Sequence, residues 1–381
     1  MSTPQRLVSV DLLRGAVMVL MAIDHVRVYA GVPPGGPEPA VFFTRWVTHF
    51  CAPTFVFLAG ASAFLSARSP RELSRLLLTR GLWLVLLELT LIHLAWTFNP
   101  AWSREQMAGV IWTIGWCMVL MALLVRLPLK VVGAIGLAII AGHNLIPEPA
   151  GDSVPPLLSI LYYGMARGTI DLGGGWSFSV LYSIVPWIGV MAAGFAFGQV
   201  LRFEPARRDR ICLAVGLGAI GTFIVLRAFD LYGDPSRFEA GDGAVPTILS
   251  FLRTTKYPAS LQYLLMTLGP AIALIPLLEG ARGALARAIC VFGRVPFFYY
   301  LLHIPLIHLL ALIVSRIRSG SVNAWLFANH PMNPGPVPQG YEWSLGLLYL
   351  VFAIAIAVLY LPCRWYADLK SRRRDGWLSY L

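Results

Sequence analysis

The 381-residue chain predicts an all-α, polytopic membrane protein, a bundle of about ten transmembrane helices (10–11), and three observations carry that prediction. Hydrophobic residues make up 57% of the chain and charged residues only 13%, against roughly 25% charged in soluble domains. Mean hydropathy is +0.69, and the apolar residues gather in blocks near the ~20 that a helix needs to cross the hydrocarbon core. The net charge of +11 borders those blocks, so it reads as a topology signal and requires no nucleic acid.

The blocks fall at roughly 8–31, 45–67, 74–97, 107–127, 129–147, 176–201, 210–229, 257–280, 289–315 and 343–367. With the N-terminus inside, eighteen Lys and Arg residues, Arg6 and Arg68 among them, fall on that side and nine on the other. This excess predicts both termini in the cytoplasm. The first block is too long and too charged for a cleaved signal peptide. One transmembrane domain, 1–381, is expected, ending in a basic cytoplasmic tail, 368–381, suited to anionic lipid. Outer connections at 148–175, 230–256 and 316–342 are long enough to carry specificity. The glycines at 173–175 lack the strand, spacing and lysine of a phosphate-binding loop, and read as a flexible hinge. The five cysteines stand singly in apolar surroundings without zinc spacing, so no metal is expected.

The first block organises the rest, because Ser9 to Gly31 carries Asp11, Arg14, Asp24, His25 and Arg27 at membrane depth. Such groups face protein or a wet cavity, since lipid tolerates them poorly. At about 100° per residue, Arg14 and His25 lie within roughly 20° of each other, and Asp11 about 40° to 60° from both. Arg14 and His25 are roughly 16 Å apart along the axis, so one cavity could meet a cation at one end and an imidazole at the other. The plainer alternative is an i, i+3 pair between Asp11 and Arg14 near the membrane surface.

Further polar groups sit inside apolar sequence. His49 opens the second block at a depth similar to His25, and Asp24 is a carboxylate near His25; together they have the logic of a base and its orienter. An interhelical hydrogen bond is the bland reading of each histidine. Glu88 lies mid-block with His93 five residues on, and neither faces lipid cheaply. In FGRVPFFYYLLHIPLIH, Arg294 precedes a proline; His303 and His308 point roughly 140° apart, which leaves His303 as the one facing a shared cavity. Lys256 and Tyr257, in TTKYP, stand at the outer mouth of the eighth block, either in the cavity or as an interfacial anchor. The small residues of IVPWIGVMAAGFAFG predict close helix packing rather than chemistry.

The motifs SVDLLRG, MAIDHVRVY, TRWVTHFCAPTFVFLAGASAFL, VPWIGVMAAGFAFG, TTKYPASLQYLLMTLGP and FGRVPFFYYLLHIPLIH run almost end to end. In them the chain resembles the bacterial branch of the heparan-alpha-glucosaminide N-acetyltransferase catalytic-domain family. The resemblance implies a transmembrane acyltransferase that carries acetyl from cytoplasmic acetyl-CoA to an amine or hydroxyl on the far side. Lysosomal relatives acetylate the terminal glucosamine of heparan sulfate. Their VDxxRG helix matches Val10, Asp11, Arg14 and Gly15, and an intramembrane asparagine of theirs falls on His25. Their presumed catalytic histidine lies in the first outer loop, which has none here, so His25 and His49 stand in as candidate bases.

Acetyl transfer needs a base for the attacking acceptor and donors for the developing oxyanion. Arg14, Arg80 and Arg294, grouped with Asp11, are the candidates for holding CoA phosphates. The partners expected are acyl-CoA, a sugar or glycolipid acceptor and membrane lipid, and a homodimer is compatible. Buried Asp, Glu and His also serve proton relays, so a proton-coupled small-molecule transporter is the alternative, and a non-catalytic scaffold the third reading.

Overall fold

The computed structural model describes residues 7–66, 69–99, 104–147, 154–328, 330, 332 and 335–373; Arg6, Arg68 and most of the 368–381 tail lie outside them. Helix α1 is Val8–Tyr29, and the carboxylate of Glu279 accepts from its Ser9 N–H at 3.2 Å. Helix α2, Pro39–Ser66, contains a 3-10 turn at Val47–Phe50. Helix α3, Pro70–Thr97, starts where proline needs no donor and Ser69 accepts from the Glu72 N–H. It holds a π turn at Glu88–Ile92.

Helices α4 (Val110–Leu124), α5 (Leu129–Leu145), α6 (Pro156–Ala166), α7 (Ile184–Arg202), α8 (Pro205–Ala228), α9 (Ala244–Leu252), α10 (Leu261–Glu279), α11 (Ala284–Arg294), α12 (Pro296–Ser319) and α13 (Leu345–Arg372) follow. Among the described residues seven helices are long and apolar enough to cross a membrane: α2, α3, α7, α8, α10, α12 and α13. With the charged α1 and the shorter apolar α4 and α5, they account for the ten blocks of the sequence. The protein is an all-α polytopic membrane protein.

Three expectations change in detail. The 176–201 block opens as a strand, because the alternating Trp176–Val180 pairs in a small sheet of order β1-β3-β2, with β1 Glu105–Ala108, β2 Ile170–Gly173 and β3 Trp176–Val180. Strands β1 and β3 are parallel, β2 and β3 antiparallel. Gly173, Gly174 and Gly175, at φ of +81°, +61° and +79°, make the turn between β2 and β3, so the glycines form a hairpin tip rather than a hinge. The 289–315 block is two helices. Val295 leaves the helical region ahead of Pro296, which has no N–H to continue α11.

The chain divides into two compact units, Met1–Cys51 with Leu91–Ser103 and Leu277–Leu381, and Ala52–Thr90 with Arg104–Pro276. In the first, α1 packs on α11, α12 and α13. Gly15 and Gly293 permit the α1–α11 approach: a Cβ on Gly15 would run into the Ile289 carbonyl, and one on Gly293 into that of Asp11. In the second, α3 packs on α4, and α5 on α7. There Gly189 and Gly194 admit Ile139 and the Phe57 backbone, the close packing expected of that segment.

Candidate functional site

The first unit holds Asp11, Arg14, Asp24, His25, His49, Arg294 and His303, seven of the candidate site residues. On the first turns of α1, Asp11 and Arg14 form the i, i+3 pair at 3.7 Å, and Arg14 Nη1 also donates to the Gly293 carbonyl at 3.3 Å, at the end of α11. Arg14 therefore joins α1 to the break between α11 and α12. Arg294, the next residue, is exposed.

Asp24 is buried and spanned by two cations. Arg27 Nε donates to its Oδ1 at 2.8 Å, Arg45 Nη1 donates to its Oδ2, and Arg27 also donates to the Val32 carbonyl at 2.7 Å. This ties α1 to the start of α2 and to the loop between them. Removing one member of such a buried set is costly, because it strands the charge of the other. His49 lies half-buried in the 3-10 turn of α2.

The imidazole that meets His25 is His303, on α12. His25 Nδ1 lies 2.6 Å from His303 Nε2, and His303 Nδ1 lies 2.6 Å from the Tyr300 carbonyl. Both rings are buried. A carbonyl only accepts, so His303 carries its proton on Nδ1 and turns the Nε2 lone pair toward His25. His25 must then hold its proton on Nδ1, which leaves Nε2 as the basic nitrogen. The tautomers follow from the hydrogen-bond network, and they give a base whose orientation is set by a second imidazole and a main-chain oxygen.

Aromatic rings extend from this pair. Trp96 lies edge-on to His25 at 4.7 Å and 5.1 Å from His330, whose ring is 6.0 Å from that of His93. Tyr29 stacks on His308 at 4.7 Å and donates its hydroxyl to the Trp96 carbonyl at 2.7 Å. Five of the seven histidines thus belong to one ring cluster of the first unit. In the loop after α12, burial pushes His330 down to about 3, with His93 adding to the effect, and burial raises the Tyr341 hydroxyl.

The second unit holds Arg80, Glu88, Lys256 and Tyr257. Arg80 is half-buried on α3. Glu88, buried at the start of the π turn, turns its carboxylate toward the main-chain N–H groups of Gly109, Ile111 and Trp112 at the start of α4, and its Oε2 has no hydrogen-bond partner among the described residues. Lys256 Nζ lies 5.6 Å from the Tyr182 ring and 5.2 Å from that of Tyr257, whose hydroxyl donates to that of Tyr182 at 3.4 Å. A part-buried knot braces this segment. Arg227 donates to the carbonyls of Ser236, Ser250, Phe251 and Arg253, and Asp234 accepts from Thr255 N–H and from the hydroxyls of Thr255 and Ser260.

Sequence reasoning passed over Trp96, His330, Tyr299 and Arg227. Tyr299 could have been found, since it precedes His303 by four residues and shares its helix face. Among the described residues, no group of three or more His, Cys, Asp or Glu side chains could hold a metal ion.

Fold and site together define a class: a multi-pass helical membrane protein with a buried imidazole pair anchored on its first helix. Residues 6–225, more than half of the chain, match the family described as heparan-alpha-glucosaminide N-acetyltransferase, catalytic, and the chain belongs to that family. It is thereby a member of a transmembrane acetyltransferase family. The matched range takes in Asp11, Arg14, Asp24, His25, His49, Arg80 and Glu88. No curated protein matches the chain.

Proposed function

We propose that the protein moves an acetyl group from cytoplasmic acetyl-CoA to an amine or hydroxyl of a sugar or glycolipid at the outer side of a bacterial cytoplasmic membrane, with both termini inside. The family membership supports the reaction class. The line His25–His303–Tyr300 carbonyl is the observation that carries the mechanism.

In this reading the acceptor's nitrogen or oxygen attacks the thioester carbonyl carbon while His25 Nε2 takes its proton. Charge on the His25 imidazolium is shared through Nδ1–H with His303, which the Tyr300 carbonyl supports in turn. The tetrahedral adduct collapses with loss of the C–S bond. The departing thiolate takes the proton from His25, leaving acetylated acceptor and CoA thiol. Asp11 and Arg14 would stand at the phosphate end of the donor, with Arg294 as a further cation. Asp24 and His49 are proposed as supports of the base.

Sealed proteoliposomes loaded with acetyl-CoA and given an external glucosaminide amine test this reading. The expected outcome is acetylated amine outside and CoA thiol inside. Uptake of the amine driven by a pH gradient, without CoA release, would instead make the protein a proton-coupled transporter.

A further inference from the structure

Tyr299 lies between the two ends of the site. Its ring is 5.0 Å from that of His303, at 13°, and 5.3 Å from that of Phe292. Phe292 adjoins Gly293, whose carbonyl receives Arg14. Residues from the Arg14 end to the His25 end are therefore contiguous through this tyrosine.

The ring is fully buried, yet its hydroxyl has no hydrogen-bond partner among the described residues. Two other buried tyrosines of the same unit satisfy theirs, Tyr29 donating to the Trp96 carbonyl at 2.7 Å and Tyr341 to the Tyr29 carbonyl at 2.9 Å, whereas the hydroxyl of the buried Tyr366 also has no partner among the described residues. The thiols of Cys51 and Cys363 lie near Tyr299, and that of Cys51 is directed to the Val17 carbonyl at 3.2 Å. A hydroxyl shut from water without a partner disfavours the ligand-free fold. Phenylalanine would fill the same space without that penalty.

We infer that the Tyr299 hydroxyl donates to a carbonyl of the acyl donor, on the amide-and-thioester arm of acyl-CoA as it runs from Arg14 toward the His25–His303 pair. The inference rests on the acetyltransferase reading above and names one contact within it. A neutral donor suits that arm, which offers carbonyl oxygens and no charge between the phosphates and the acetyl group.

Tyr299→Phe, titrated with acetyl-CoA at saturating acceptor, tests the contact. One neutral hydrogen bond corresponds to about a two- to tenfold change. The expected result is a KM for acetyl-CoA raised by that factor and kcat within about twofold. The thermal midpoint of the ligand-free variant should be unchanged or higher. An unchanged KM, or a lowered midpoint with kcat and KM both impaired, overturns the contact while leaving the wild-type activity in place. A wild type that releases no CoA thiol from acetyl-CoA and is not stabilised by it overturns the acetyltransferase reading itself, and this contact with it.

Discussion

A main-chain oxygen at Tyr300 decides which nitrogen of His25 is basic, although it lies on another helix and acts through His303. The same economy of local contacts governs His330, held at about 3 by burial beside His93. Its unfolded value is near 6.5, so below that pH the unfolded chain binds a proton that the fold refuses. Stability is fully present above about pH 6.5 and is lost progressively as pH falls toward 3. His330→Gln should flatten this dependence. Thermal midpoints measured from pH 7.5 to 5 check it, and parallel curves for variant and wild type would contradict it.

Much of this scale was legible in the sequence, and the partnerships were not. His25, His303 and the Asp11–Arg14 pair stand out because ionisable groups in apolar helices need a reason to be there. That His25 meets His303, 278 residues away, depends on how α1 and α12 pack, which no local pattern encodes. Asp24 stands beside His25 in the sequence; that its carboxylate is spanned by Arg27 and Arg45, the second contributed by a neighbouring helix, is seen only in three dimensions. His330 falls in a proline-rich connection with no periodicity to mark it.

Among the elements, helix starts were readable where proline and serine punctuate the chain, as at Ser69–Pro70 and Pro205. Apolar content alone did not separate strand from helix at Trp176–Val180, nor reveal that Pro296 begins a new helix. The connection after α8 shows how a connecting segment can be ordered by one side chain. Arg227 is 1% exposed and holds four carbonyls of the 236–253 stretch, two through the same nitrogen. Arg227→Leu should lower the thermal midpoint by several degrees, because each orphaned carbonyl costs on the order of 1 kcal/mol or more. Arg227→Lys should restore little, since an ammonium cannot reproduce the planar fork. Full recovery with lysine would show that charge alone suffices.

Across the whole molecule, the sequence conveys a multi-pass helical bundle through composition and block length, while the two compact units emerge only in three dimensions. Their interleaving along the chain, with α2 and α3 each contributing to both, explains why no linker or composition shift announces a boundary. The family match ends at residue 225, before the helix that carries His303. For the His25–His303 pair, the decisive test is the rate of CoA thiol release from acetyl-CoA with an amine acceptor, for purified wild type, His25→Ala and His303→Ala. The kcat should fall by about 10²- to 10⁴-fold in His25→Ala and by less in His303→Ala, at comparable thermal midpoints. Wild-type turnover in both variants would contradict this.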